Sequence, residues 1–265
     1  MTTEKYGIYR IAGLSVGISS LYDDVHRLCA GYEEKECSGD ADIRVGILDE
    51  DIENERLRSA EEDKRLGIPV RDFPDPYLET LAVYRKIAEK LPYHDAFLMH
   101  GSCVAAEETG YLFTAKSGTG KSTHTRLWRE YLGDRAVMVN DDKPVICFTE
   151  EGPVVCGTPW NGKHRLGSNI TVPLGAICLL ERGAENKITE ESFAGIYPAL
   201  LGQIYRPHDR KAFGKTLELI DRLAPAVRMA RLWCNMEPEA AEVSCAFFGI
   251  TKKEDVGGIG RYEIE

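Results

Sequence analysis

The chain has 265 residues and an acidic balance, with 33 Lys and Arg against 43 Asp and Glu for a net charge of −10. Because this charge would repel a phosphate backbone, we exclude nucleic acid as a partner. Apolar residues make up 43% of the chain, as in soluble globular proteins, and no apolar run reaches the roughly 18 residues of a membrane span. No export signal is visible, so we expect a cytoplasmic protein without a membrane partner.

The eight cysteines form no CxxC pair, and several lie inside apolar stretches. Cysteines in such settings usually behave as small buried side chains in a reducing compartment. We therefore predict neither a disulfide framework nor a cysteine metal site. Cys147 and Cys156 flank a predicted hairpin turn, so we expect their thiols to be near neighbours without a bond.

The N-terminal part contains two predicted strands, at 5–19 and 42–48, both rich in β-forming residues. The charged run at 50–63 is interpreted as a solvated helix or loop, with an acidic interaction face as the alternative. Helical spacing of apolar residues predicts a helix at 76–91. We predict that residues 1–90 form a small α+β unit.

From residue 96 onward, strands and helices alternate at shorter intervals. The predicted strands span 97–106, 111–115, 136–141, 174–182 and 227–234, with a further hairpin at 143–157. The predicted helices span 121–132, 188–205, 209–224 and 237–248. Two hairpins among helices indicate an α/β domain with a mixed sheet over residues 91–265.

A phosphate-loop motif lies at 115–123, where AKSGTGKST departs from G-x-x-x-x-G-K-[ST] only at Ala115. An apolar strand precedes the motif and a helical pattern follows it, as the motif requires. Gly118 and Gly120 allow the backbone to turn its N–H groups inward around an anion. The alternative is a chance Gly-rich turn before a helix.

The end of this motif supplies the charged and metal-binding groups. Lys121 is placed to reach the β- and γ-phosphates, and the Ser122 hydroxyl is placed to coordinate Mg²⁺. We therefore expect ATP and Mg²⁺ as the cofactors. The predicted nucleotide-binding residues are Ser117, Gly118, Thr119, Gly120, Lys121, Ser122 and Thr123.

Two adjacent carboxylates, Asp141 and Asp142, end the strand at 136–141. Adjacent carboxylates at a strand end suit metal binding and proton abstraction together. The alternative is an ordinary polar strand end, where Asp is common. The sequence does not assign which aspartate is the base and which the metal ligand.

These motifs together resemble the catalytic core of bacterial HPr kinase/phosphorylase. The resemblance consists of His100-Gly101, the hairpin return at Gly110, the SGTGKST loop and the VNDD strand, in this order. ATP-dependent phosphoenolpyruvate carboxykinases share the loop and the Asp-Asp strand. The match covers 96–146 well and implies a mixed-sheet phosphate-loop core of the HPr kinase/phosphoenolpyruvate carboxykinase type.

The resemblance also implies roles for individual residues. Lys121 and Ser122 would serve the triphosphate and Mg²⁺, and one of Asp141 and Asp142 would act as general base. His100 matches the family's histidine, which would sense or assist the γ-phosphate; a buried structural histidine is the alternative.

The acceptor side departs from the family. The E-[IL]-R-G-L-G segment of HPr kinases is absent, and the segment 157–167 stands in its place. Candidate acceptor or phosphate contacts are Lys163, His164 and Arg165 on this segment and Arg206 and Arg210 on a later loop. Solvated surface charge is the alternative for all of them.

The sequence therefore predicts a phosphotransferase that moves the γ-phosphate of ATP to a hydroxyl group. The acceptor is a protein or peptide serine, or a small molecule such as free serine or a polyol. The alternatives are a non-catalytic ATP-binding regulatory module and, with less support, a carboxykinase-type enzyme. HPr kinases assemble into hexamers, so a homo-oligomer is a further expectation.

Overall fold

The computed structural model describes residues 5–34, 40–162 and 164–251. The strands are β1 (Lys5–Ile11), β2 (Leu14–Ser20), β3 (Ile43–Gly46), β4 (Ala96–Leu98), β5 (Ser102–Ala106), β6 (Thr109–Thr114), β7 (Ala136–Asn140), β8 (Val145–Thr149), β9 (Gly152–Cys156), β10 (Thr171–Arg182), β11 (Lys187–Glu190) and β12 (Arg228–Cys234). The helices are α1 (Asp24–Leu28), α2 (Asp49–Leu66), α3 (Asp75–Lys90), α4 (Lys121–Leu132), α5 (Phe193–Leu201), α6 (Arg210–Asp221) and α7 (Glu239–Phe247). No helix within these ranges has the length and apolar character needed to cross a membrane.

The N-terminal part forms a three-stranded sheet in the order β1-β2-β3. The single strand predicted at 5–19 is wrong, because the chain reverses at Ala12 and Gly13, which both have positive φ. The reversal pairs Lys5 with Ser20 in an antiparallel hairpin. Alternating apolar residues on both sides of a two-residue turn look like one continuous strand in the sequence.

The charged run lies within α2, which confirms the helix interpretation. Two of its acidic side chains are nevertheless buried. Glu55 is held by Arg85 and Arg58, and Asp63 is held by Arg71 through its side chain and its backbone N–H. Buried carboxylates keep their charge only with such partners, so this helix is anchored by ion pairs as well as by apolar packing.

The three-stranded sheet and α3 share one hydrophobic cluster with residues further along the chain, including Leu98, Val145 and Trp160. Trp160 also donates a hydrogen bond of 2.9 Å to the carbonyl of Thr80 on α3. These contacts tie α3 to the segment that follows β9. The boundary at residue 90 stays a prediction.

The larger sheet has nine strands in the order β4-β8-β9-β10-β6-β5-β7, with β12 beside β10 and β11 beside β12. Its strands β6, β10 and β12 run parallel, and the other pairs are antiparallel. The prediction of a mixed sheet in an α/β fold is therefore confirmed.

Helices cover this sheet on both faces. On β10, Ile177 and Leu179 belong to the hydrophobic cluster that contains α5 and α6. Cys178 and Leu180 belong to the cluster that contains α4 and α7. This alternation follows the two-residue period of a strand, and a strand buried on both faces reads as the continuous apolar run seen in the sequence.

The single strand predicted at 97–106 is also wrong. The strand is interrupted after Leu98: β4, before this break, pairs with β8, and β5, after it, pairs with β6 and β7. Gly101 lies in the break, where a Cβ would stand 2.9 Å from the Leu112 side chain and 3.2 Å from the Phe113 carbonyl. Glycine therefore lets the backbone of the break lie close to β6 without a steric contact.

The helix predicted at 188–205 is shorter than expected. Its first residues belong to β11, which pairs antiparallel with β12, and the helix α5 begins at Phe193. The Ser192 hydroxyl accepts a hydrogen bond from the Gly195 N–H and so caps the helix. Residues 188–190 are therefore a strand and not a helix, because they pair with β12, which lies about 40 positions further along the chain.

Both predicted hairpins are confirmed: the one that returns at Gly110 is β5–β6, and the one predicted to turn at Glu151–Gly152 is β8–β9. The Sγ atoms of Cys147 and Cys156 lie 3.7 Å apart across the second hairpin, and both thiols are free. The prediction of close but unbonded thiols is confirmed for this pair.

Candidate functional site

The predicted phosphate loop lies between β6 and α4, at the carboxyl edge of the parallel pair β6 and β10. Gly118 has φ +77° and Gly120 has φ +121°, which are conformations that side chains other than glycine rarely adopt. Ala115, the one mismatch to the motif, is buried and is not among the residues with positive φ. The missing first glycine therefore costs the loop no backbone strain.

Helix α4 begins at Lys121, as predicted, with Gly120 as its N-cap. Because Gly120 has no side chain, no capping group occupies the first N–H groups of the helix. Uncapped N–H groups and the positive end of the helix dipole favour an anion at this position.

Lys121 is a buried cation at this helix start, and its Nζ donates a hydrogen bond of 3.1 Å to the Ala115 carbonyl. Burial lowers the pKa of Lys121; Lys143 also lowers it, whereas Asp142 and Asp141 raise it. The ammonium group is thus tied across the loop, and a bound anion would relieve its desolvation.

Asp141 is buried and positioned by a chain of hydroxyl groups. Its Oδ1 accepts a hydrogen bond of 2.7 Å from Ser102. The Ser102 and Thr125 hydroxyls lie 2.8 Å apart, and Thr125 also contacts the Ser122 carbonyl. This chain connects β7, β5 and the first turn of α4, so it fixes Asp141 relative to the phosphate loop.

Asp142 has a different environment, because its side chain is one-third exposed. Its Oδ1 lies 3.0 Å from the Lys143 Nζ and 3.4 Å from the His100 Nε2. The Asn140 side-chain oxygen accepts hydrogen bonds from the N–H groups of Asp142 and Lys143. The turn leaves Asp141 buried and Asp142 partly exposed.

The sequence had predicted His100 within a strand, but it lies in the break between β4 and β5. Its N–H donates to the Gln203 carbonyl, and its Nδ1 lies 3.0 Å from the Gln203 Oε1. Burial lowers the pKa of His100 to about 4, and Lys143 and Lys121 act in the same direction. The imidazole is therefore neutral at pH 7, and its contact with Asp142 is not an ion pair.

The segment 157–167 packs against the aspartates through backbone groups and Asn140. The Asn140 amide donates to the Thr158 carbonyl and hydroxyl. Gly162 approaches Asp141 so closely that a Cβ there would stand 3.3 Å from Oδ2. Glycine at 162 thus leaves Asp141 Oδ2 uncovered on this side. Ser102 donates to the other oxygen, Oδ1.

The residues predicted to contact the acceptor make no direct polar contact with the aspartates where the structure describes them. Lys163 lies outside the described residues. His164 and Arg165 are exposed, Arg206 donates to the Leu201 carbonyl, and Arg210 is exposed at the start of α6. Among the described residues, no hydrogen bond or ion pair joins these four side chains to Asp141 or Asp142.

Five residues that contact the aspartates or His100 were missed by the sequence analysis: Ser102, Thr114, Asn140, Lys143 and Gln203. Asn140 and Lys143 flank the aspartates directly, so their proximity to the pair was a usable signal. Gln203 is more than a hundred positions from His100, and no local pattern indicates their contact.

Within the described ranges, no three or more His, Cys, Asp or Glu side chains form a group that could hold a metal ion. Mg²⁺ usually takes only one or two protein carboxylates and completes its shell with phosphate and water oxygens. A Cβ at Gly162 would stand 3.3 Å from Asp141 Oδ2, so glycine leaves this oxygen uncovered on that side. A carboxylate oxygen, and a hydroxyl such as that of Ser122 at the start of α4, are oxygen ligands of the kind that Mg²⁺ takes.

No protein-family model and no curated protein matches this sequence. One solved structure to which the chain is similar is the HPr(Ser) kinase/phosphatase from Coxiella burnetii, at 8% identity and a TM-score of 0.33. The alignment covers 57% of this chain and 95% of that one. A similarity of this size establishes neither a shared fold nor a shared activity.

Proposed function

We propose that this protein is an ATP-dependent kinase that transfers the γ-phosphate to a hydroxyl acceptor. The observation that carries the proposal is the pairing of a phosphate-loop geometry with two carboxylates in unlike environments. Asp141 is buried and pinned by Ser102, whereas Asp142 is partly exposed beside neutral His100. A site that only bound nucleotide would need no second, reachable carboxylate.

The phosphate end of the proposed site is built from the loop and α4. The N–H groups around Gly118 and Gly120 and the start of α4 would bind the β- and γ-phosphate oxygens. Lys121 would add a positive charge that is already held in place by the Ala115 carbonyl. Ser122 and Asp141 would hold Mg²⁺, which supplies charge neutralisation to the transferring phosphate.

The acceptor end of the proposed site is Asp142. Its partly exposed carboxylate would accept the proton of the acceptor hydroxyl. The neighbouring His100 presents a neutral ring, because burial lowers its pKa to about 4, and so it would not neutralise the base. Lys143, 3.0 Å from Asp142, would orient the carboxylate. This assigns the base to Asp142 and the metal ligand to Asp141.

The test is a transfer assay with γ-labelled ATP and Mg²⁺ on wild type, Lys121→Met and Asp142→Asn. The acceptors are free serine, polyols and sugars, and a pool of serine-containing peptides. Lys116→Met is the matched control, because Lys116 is an exposed lysine in the same loop. We expect label on one acceptor class, lost in the first two variants and kept in the control.

A different result would replace the proposal. If wild type binds ATP tightly but labels no acceptor, and Asp142→Asn binds ATP equally well, the catalytic role fails. The protein would then be a non-catalytic ATP-binding module that switches a partner.

A further inference from the structure

Arg182 is the last residue of β10, one of the two strands that flank β6. It lies two positions after Leu180, which packs in the cluster containing α4. Side chains two positions apart on a strand share a face, so Arg182 extends on the α4 side of the sheet. In the parallel pair of β10 and β6, Leu179 lies beside Thr114. Arg182, three residues further on, is therefore level with the loop that follows β6.

The Arg182 guanidinium contacts the middle of the phosphate loop. Its Nη2 donates a hydrogen bond of 2.7 Å to the Gly118 carbonyl. The N–H of the same peptide, on Thr119, donates to the Lys116 carbonyl at 3.2 Å. The Gly118–Thr119 peptide is thus held at both ends, one of them by a side chain from another strand.

This arginine differs from Arg231 on the adjacent strand β12. Arg231 is paired with Glu181 and Glu191. Among the residues that the structure describes, Arg182 makes no ion pair with a carboxylate, and its guanidinium donates to the Gly118 carbonyl. A guanidinium has five N–H donors, so donors and an unneutralised charge remain beside the loop.

We propose that Arg182 is a positioning residue that holds the phosphate loop in its anion-binding conformation. This rests on the proposed nucleotide site and adds a residue outside the motif. By fixing the Gly118 carbonyl on the outside of the loop, Arg182 sets the direction of the neighbouring N–H groups. Glycine at 118 gives the peptide freedom to rotate, and the arginine removes that freedom.

Hydrogen exchange of the ligand-free loop is the first test, because it needs no nucleotide. Arg182→Gln should speed exchange in 116–120 by at least about tenfold, since a charge-assisted hydrogen bond is lost. Arg182→Lys should recover part of the protection. Arg126→Gln is the matched control, since Arg126 is an exposed arginine on α4 paired with Glu130.

Mg-ATP titration of the same variants is the second test. We expect Arg182→Gln to bind about tenfold more weakly than wild type, with partial rescue in Arg182→Lys and an unchanged unfolding temperature. Unchanged exchange and affinity in Arg182→Gln would overturn the inference. Weaker binding with unchanged exchange would also overturn it, because Arg182 would then contact phosphate directly.

If wild type binds no nucleotide, the proposed function fails, and the exchange result alone decides whether Arg182 positions the loop.

Discussion

Ser102 donates a hydrogen bond of 2.7 Å to Oδ1 of Asp141, and no equivalent hydroxyl reaches Asp142 among the described residues. Two carboxylates that are adjacent in sequence are thus separated by environment. One is buried and fixed to the sheet, and the other is partly exposed. Such a separation allows one carboxylate to stay with a metal while its neighbour exchanges a proton.

Removing the Ser102 hydroxyl should destabilise the fold. Ser102→Ala leaves a buried carboxylate oxygen without its donor, and we expect the free energy of unfolding to fall by about 1–3 kcal/mol. Urea denaturation measures this loss. Ser122→Ala is the control, because Ser122 is exposed and should change stability by less than about 0.5 kcal/mol. Equal losses in the two variants would contradict the role given to Ser102.

The two aspartates should respond differently to amide substitution. If Asp142 is the base, Asp142→Asn should lower kcat by about 10²–10⁴-fold with little change in nucleotide affinity. If Asp141 holds the metal, Asp141→Asn should raise the Mg²⁺ concentration needed for half-maximal activity. Initial rates over a Mg²⁺ titration separate the two effects. The reverse pattern would exchange the roles.

The segment 157–167 should tolerate no side chain at Gly157. A Cβ there would lie 1.9 Å from the Ser168 carbonyl oxygen and 2.8 Å from that of Val139, and backbone atoms cannot move aside cheaply. We expect Gly157→Ala to cost about 3 kcal/mol of unfolding free energy in urea.

The matched control is Gly214→Ala, because Gly214 lies inside α6 and a Cβ there would meet no atom within 4 Å. Alanine in a helix interior is better than glycine, so this variant should gain about 0.5–1 kcal/mol. Effects of the same sign in both variants would show that the close contact at Gly157 is not what limits that position.

The loop at 115–120 and the start of α4 could be predicted because their information is local. The glycines, the lysine and the helix start at Lys121 lie within one short segment whose spacing specifies a loop before a helix. The hairpin β8–β9 was equally readable from its turn residues. In each case the decisive contacts join residues close in sequence.

The break after Leu98 and the strand β11 could not be read locally. The strand β4 ends at Leu98 and pairs with β8, whereas the next strand, β5, pairs with β6 and β7. The residues between them, which include His100 and Gly101, do not indicate which strands each side will pair with. At Lys187–Glu190 a partner on β12 outweighs the helical pattern. The contact of His100 with Gln203 is of the same kind, since it depends on how distant segments meet in the fold.

His124 on α4 is a buried histidine with one ring nitrogen unpaired. Trp128 donates to the Ser244 hydroxyl at 2.8 Å, and that hydroxyl donates to the Ala240 carbonyl. The His124 Nε2 must then donate to Ser244, at 3.1 Å, which leaves Nδ1 as a bare acceptor. Burial lowers the pKa of His124 to about 3.

This buried ring should make the fold sensitive to acid. The unfolded chain takes up a proton near pH 6.5 whereas the folded chain does so near pH 3, so stability falls as the pH drops below 6.5. His124 should contribute about 2 kcal/mol of the loss between pH 7 and pH 5. Between pH 7 and pH 5, we expect the unfolding free energy of His124→Phe to fall by about 2 kcal/mol less than that of wild type. Urea denaturation at the two pH values measures both losses. His164→Phe, at an exposed histidine, should follow wild type, and a His124→Phe variant with an unchanged acid dependence would show that this ring does not cause it.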